Sequence, residues 1–308
     1  MLLVDGFTKA YDDFVAVDNL SFEIRQGDIF GFIGPNGAGK TTTIRFLSTL
    51  LTPTRGSAVI NGFDVVRQPE KVKRSIGYMP DDYGVYDGMR VWEFLDFFGA
   101  AYAIPRKKRR TVINDILILL DLQYKRDSMV NSLSRGMRQR LCLAKTLVHD
   151  PPVLILDEPA SGLDPRARIE IKELLKELRD MGKTILISSH ILSELADCCN
   201  TVGILERGKL LAAGNVHDIM AELREAVAVE MEVLEGAEIA ERILLENGFV
   251  RDLVASERTF TFEFTGRTFD LAELHNQLHC AGVKILWFKE LETSLEDVFM
   301  KITKGEVT

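Results

Sequence analysis

Residues 34–41 read Gly34-Pro35-Asn36-Gly37-Ala38-Gly39-Lys40-Thr41, which fits the pattern G-x-x-x-x-G-K-[ST]. An apolar run, Ile29 to Ile33, precedes it, and a helical pattern, Thr42 to Leu51, follows. Few folds accept a strand, a glycine-rich loop and a helix in that order. Gly34, Gly37 and Gly39 permit turns that a β-carbon forbids. Backbone N–H groups from Asn36 through Ala38 to Thr42 can then point inward around a phosphate at a helix N-terminus. Lys40 supplies charge for the β and γ phosphates, and Thr41 offers a hydroxyl to Mg²⁺.

The surrounding pattern agrees with such a loop. Val59-Ile60, Val153 to Leu156 and Thr184 to Ser188 are short apolar runs, with helical patterns such as Arg166 to Met181 between them. Continuous apolar runs suit strands buried on both faces of a mainly parallel sheet. The run Val153 to Leu156 leads straight into Asp157 and Glu158. Acids at that point lie at the carboxyl edge of the sheet, where α/β folds bind ligands. Asp157 would hold Mg²⁺, directly or through water. Glu158 would face the γ-phosphate and orient or deprotonate the attacking water. Between about residues 82 and 150 three helical pieces are expected, Val91 to Tyr102, Thr111 to Leu122 and Arg135 to Val148.

With 308 residues, two domains are expected. The first is placed at 1–220 and the second at 224–308, because the pattern changes near Gly214. The later elements are strand Ala226 to Leu234, helix Ala237 to Asn247, strands Phe249 to Ala255 and Thr259 to Thr265, helix Phe269 to Ala281 and strand Val283 to Lys289. That βαββαβ order is the ferredoxin-like unit. A last helix, Leu295 to Thr303, has Ser294 and Asp297 at capping-box spacing. The balance of 38 basic and 46 acidic residues, net −8, argues against general nucleic-acid binding. No apolar run reaches the roughly 18 residues that span a bilayer, and Met1 to Gly6 show no secretory pattern. Cys142, Cys198, Cys199 and Cys280 have no metal or redox spacing and read as packed, reduced thiols. His275 and His279 stand four apart on a helix, without evident further metal ligands.

Three further motifs make the set specific. Leu133-Ser134-Arg135-Gly136-Met137 lies between the glycine loop and the acids; Ser161-Gly162-Leu163-Asp164 and Ser188-Ser189-His190 follow them. Over about Leu2 to Met220 the chain resembles the ATP-binding subunits of ABC (ATP-binding cassette) transporters. The resemblance implies an α/β P-loop ATPase core with an antiparallel N-terminal β part and a helical subdomain, carrying the small α+β ferredoxin-like domain behind it. It implies ATP and Mg²⁺ as cofactors. Ser134 and Gly136 take the place of the signature that meets the γ-phosphate of ATP held by a second subunit. Asp164 takes the place of the acid in the loop crossing the dimer interface, and His190 that of the switch histidine on the γ-phosphate. Tyr11 corresponds to the aromatic stacked on adenine, with Val17 as an apolar wall. Asp81, after Pro80, stands where the family has a glutamine near Mg²⁺ and water. Arg135 and Met137 replace glycine and glutamine of the signature.

Each chain has one phosphate loop and one signature, which cannot close on the same ATP, so a two-fold dimer is expected. The family pattern also implies an integral-membrane permease subunit as partner and a peripheral place on the cytoplasmic face of the membrane, and the acidic balance leads us to expect no nucleic-acid partner. Tyr83, Val85 and Tyr86 are expected to face that permease, while the other aromatics up to Phe98 fill a core. Ser294 to Phe299 resembles the drug- and antibiotic-exporter branch. A soluble ABC protein acting on ribosomes or DNA, and an importer subunit, are the competing readings. The run Arg106 to Arg110 reads either as a solvated face or as a patch for anionic lipid headgroups.

Overall fold

The computed structural model describes residues 2–82, 84–86, 88–189, 198–216, 218–219 and 227–291. The chain divides into two units, Met1–Val216 and His217–Thr308.

The centre of the first unit is a six-stranded sheet. Its strands include β3 (Ile29–Ile33), β6 (Ile76–Met79), β7 (Val153–Asp157) and β8 (Thr184–Ser189), completed by β9 (Thr201–Glu206) and β10 (Lys209–Asn215). The order is β10-β9-β3-β8-β7-β6, parallel throughout except for the β9–β10 hairpin. Every residue of β3, β7 and β8 is buried. This is why their sequences are apolar without alternation. The parallel order brings four carboxyl ends to one edge: the phosphate loop after β3, Ser189 of β8, Asp157 of β7, and Pro80-Asp81 after β6.

An antiparallel sheet, ordered β2-β1-β4-β5, joins β1 (Leu2–Tyr11), β2 (Phe14–Ile24), β4 (Arg55–Ile60) and β5 (Phe63–Asp64). Its inner face shares one core with the larger sheet and α1 (Lys40–Leu47). Phe7 stacks on Phe46 at 4.2 Å between ring centroids. The pairing of β1 with β2 contains several register shifts. They break the two-residue alternation, so Ala16 and Val17 are both buried.

α2 (Pro69–Ser75) leads into β6. The helical region consists of α3 (Val91–Ala101), α4 (Arg106–Leu119) and α5 (Arg135–Leu147). α4 begins five residues earlier than expected, so the basic run forms its first turns rather than preceding it. Within that run Arg109 is not a solvated side chain. It pairs with Asp96 through Nε at 2.7 Å and Nη2 at 3.2 Å, and it donates to the Ile104 carbonyl. α6 (Pro165–Asp180) precedes β8.

The second unit contains β11 (Val227–Glu235), α7 (Ala237–Glu246), β12 (Val250–Ser256), β13 (Thr259–Phe264), α8 (Thr268–Cys280) and β14 (Lys284–Glu290). The sheet is antiparallel and ordered β12-β13-β11-β14. Alternation is visible in β13, where Phe260, Phe262 and Phe264 are buried among Val229, Met231, Leu244, Leu274 and Leu278. The helix expected over 295–303 lies outside the described residues. Three cysteines are buried, but Cys280 is exposed at the end of α8, not packed.

Candidate functional site: the phosphate-loop cavity

The loop between β3 and α1 needs its glycines for two different reasons. Gly37 and Gly39 adopt φ of +81° and +103°, a region that residues with a β-carbon seldom enter. Gly34 has no such φ; a β-carbon there would sit 2.5 Å from the Leu205 carbonyl oxygen. Its requirement is close approach to β9, not the turn expected from sequence.

A cavity of about 310 Å³ opens above this loop. It is lined by Asn36 through Thr42, with Tyr11, Phe14 and Ala16 on one side and Asp81 and Glu158 on the other. Tyr11 and Phe14 pair across the tip of the β1–β2 hairpin, and both are exposed. They form the aromatic wall, and Phe14 was not anticipated. Val17 does not line the cavity: it is fully buried in the core, because the irregular β1–β2 pairing turns it inward. Ala16 occupies the wall position expected of Val17.

Lys40 is buried, and its ammonium donates to the carbonyls of Gly34 and Pro35. Burial lowers its pKa, while the charges of Glu158 and Asp157 act in the opposite direction. Asp157 is 2% exposed. Its carboxylate accepts 2.6 Å from Ser188 Oγ and is also bonded by Thr41. Burial raises its pKa, opposed by those two hydrogen bonds and by Lys40, and aided by the charge of Asp81. Ser188 therefore holds two consecutive acids, since its Oγ also accepts the Glu158 N–H at 3.0 Å. Glu158 has φ +52°, a left-handed conformation uncommon for such a residue. That turn separates the two acids: Asp157 is buried, while Glu158 borders the cavity. Gln139, buried on α5, donates to the Pro159 carbonyl and ties that helix to the same turn. Neither Ser188 nor Gln139 was expected. The spatial neighbours of β7 would have revealed Ser188.

Ser134, Gly136 and Asp164 lie elsewhere. Ser134 is the N-cap of α5 and accepts from Met137 N at 3.3 Å. Gly136 lies in the first turn of α5. Asp164 is the N-cap of α6 and accepts from Ala167 N at 2.9 Å. None of the three is among the cavity's lining residues. His190 and Tyr83 lie outside the described residues. Tyr86 is half exposed and packs on Phe94, Phe97 and Phe98. Phe97 shares its exposure, and only Phe94 of these rings is fully buried. No helix among the described residues is long and apolar enough to cross a membrane.

Comparison with known proteins agrees with this geometry. Residues 17–161 match the family model described as ABC transporter. The Nod factor export ATP-binding protein I of Ralstonia nicotianae is 32% identical over 308 residues, 100% of this chain and 95% of that protein. A probable multidrug ABC transporter ATP-binding protein of Escherichia coli is 35% identical over 215 residues, 70% of this chain and 37% of that protein. Among solved structures, an ATP-binding subunit of an ABC transporter is 30% identical with a TM-score of 0.66, covering 72% of this chain and 92% of that one. The chain belongs to the family of ATP-binding subunits of ABC transporters, the ATPases that power them.

Proposed function

We propose that this chain hydrolyses Mg-ATP in pairs, at the cytoplasmic face of a membrane, and thereby drives export through a separate integral-membrane permease. The observation that carries the reading is the placing of Lys40, Thr41 and Glu158 on one cavity, with Asp157 buried beside it and bonded by Thr41 and Ser188. Export is supported by the Nod factor export and multidrug names of the relatives, the former aligned over the whole chain.

The oxygen donors suit Mg²⁺, a hard cation that is held by few carboxylates and keeps several waters. Asp157 and Thr41 would hold it, with Asp81 as the third oxygen donor at the cavity. Bound there, the ion would neutralise charge on the β and γ phosphates. The chain's own groups do the rest. Lys40 adds a fixed positive charge in a partly desolvated site. Glu158, held by its backbone on Ser188, accepts the proton of the attacking water. Tyr11 and Phe14 offer faces for the adenine ring. His190, after the end of β8, is assigned to the γ-phosphate on its motif.

The signature residues Ser134 and Gly136, and Asp164, stand at helix N-termini away from the cavity. A second copy turned by a two-fold axis supplies them to the nucleotide, so closure depends on ATP and reopening on hydrolysis. This alternation is the work passed to the permease. Lys40→Ala tests the cavity: ATP binding, followed by fluorescence of a labelled nucleotide, should be lost, and retained affinity would remove the assignment.

A further inference from the structure

Away from the nucleotide cavity, a second cavity of about 680 Å³ lies between α3, α4 and residues 126–127. Its walls carry four arginines, Arg106, Arg109, Arg110 and Arg126, against two acids, Asp96 and Asp127. The spacing explains the convergence. Arg106, Arg109, Arg110 and Ile113 stand at i, i+3, i+4 and i+7 and share one face of α4. Trp92 and Asp96 stand four apart on α3. The third wall is fixed by main-chain bonds from Val91 to Ser128 and from Trp92 to Arg126.

The charges in this cavity are unequally satisfied. Asp96 is engaged bidentately by Arg109, which also donates to Ile104. The guanidinium of Arg126 lies over the Trp92 ring at 5.8 Å and reaches Asp127 at 3.4 Å. Arg106 and Arg110 are exposed and have no ion-pair partner among the described residues. The cavity thus presents two uncommitted guanidinium groups and a third on an indole, above a neutralised Arg109–Asp96 floor. Guanidinium groups pair bidentately with phosphate, and an indole face accommodates an adjoining apolar or ring group.

We propose that this cavity is a binding site for a phosphate-bearing anion, the phosphate taken by Arg106, Arg110 and Arg126 and the rest of the molecule lying against Trp92 and Ile113. Two sources share that chemistry, an anionic lipid headgroup and a soluble phosphate compound.

The chain has two tryptophans, so Trp287→Phe leaves Trp92 as the sole reporter. Its emission is followed without nucleotide against inorganic phosphate, against vesicles of phosphatidylcholine, and against vesicles also containing phosphatidylglycerol. A saturable response to the phosphatidylglycerol vesicles identifies a headgroup site; a response to phosphate alone identifies a soluble phosphate compound. Either supports the site if Arg106→Gln with Arg110→Gln weakens it roughly thirty-fold, the factor for two cations near a phosphate surface. Arg110→Gln alone should weaken it about five-fold and covers the case in which the double variant folds poorly. Lys107 and Lys108 are exposed on the same helix but do not line the cavity. Lys107→Gln with Lys108→Gln should therefore weaken the affinity clearly less than the arginine pair does. The basal ATPase rate should be unchanged in all variants. No response from Trp92 to any probe, or equal losses from the lysine and arginine pairs, would overturn the site.

Discussion

The hydroxyl of Ser188 shows how much of the chemistry rests on single atoms. It donates to Asp157 and accepts from the Glu158 N–H. Ser188→Ala leaves both acids in the chain but removes the group that fixes them. Loss of such a supporting hydrogen bond costs about 10- to 100-fold in activity, so kcat should fall by that range while ATP affinity changes little. An unchanged kcat would deny Ser188 its positioning role. Gly34→Ala acts by collision: a β-carbon 2.5 Å from the Leu205 oxygen forces the loop from β9, and the expected outcome is a lower melting temperature together with weakened ATP binding. The thiols offer an independent check. Burial pushes the Cys142 thiol up to about 11 and raises that of Cys199, whereas Cys280 is exposed. Native protein treated with iodoacetamide should be alkylated rapidly at Cys280 alone.

Between elements, the junction of α3, α5 and β6 contains a titratable contact. His149 follows α5, stacks on Tyr102 at 3.7 Å and bonds the Ile76 carbonyl at 2.9 Å through Nε2. Burial lowers its pKa, with the Ile76 bond and Asp150 acting the other way. The unfolded chain therefore binds the proton more readily than the folded one. Stability from this group is complete above the unfolded value of about 6.5 and falls as pH drops below it. The melting temperature should fall more steeply from pH 7 to pH 5 in the native chain than in His149→Phe; equal slopes would rule the contact out as its source. These element positions also show what was legible in advance. Continuous apolar runs marked β3, β7 and β8, and the βαββαβ order of residues 227–290 followed from alternation and turns. The start of α4 was missed because its first turns are five cations, and the acid that pairs with Arg109, Asp96, lies on another helix. The burial of Val17 was not foreseen, because bulges between β1 and β2 cannot be read from one strand. Phe14 became a wall residue only through its pairing with Tyr11, and Ser188 only through the adjacency of β7 and β8.

Taken as a molecule, one copy holds the phosphate-loop cavity and, on other elements, Ser134, Gly136 and Asp164, which do not line it. In the function proposed above, a second copy completes the arrangement. Glu158→Gln keeps the shape of the acid but removes its capacity as a base, a loss that commonly slows such steps about 10²- to 10⁴-fold. ATP should then persist between two chains. Size-exclusion chromatography of Glu158→Gln with light-scattering detection, in Mg-ATP and in Mg-ADP, is the most direct measurement. A dimer carrying two ATP molecules, present in Mg-ATP and absent in Mg-ADP, is the required result; a monomer under both conditions would contradict the sandwich.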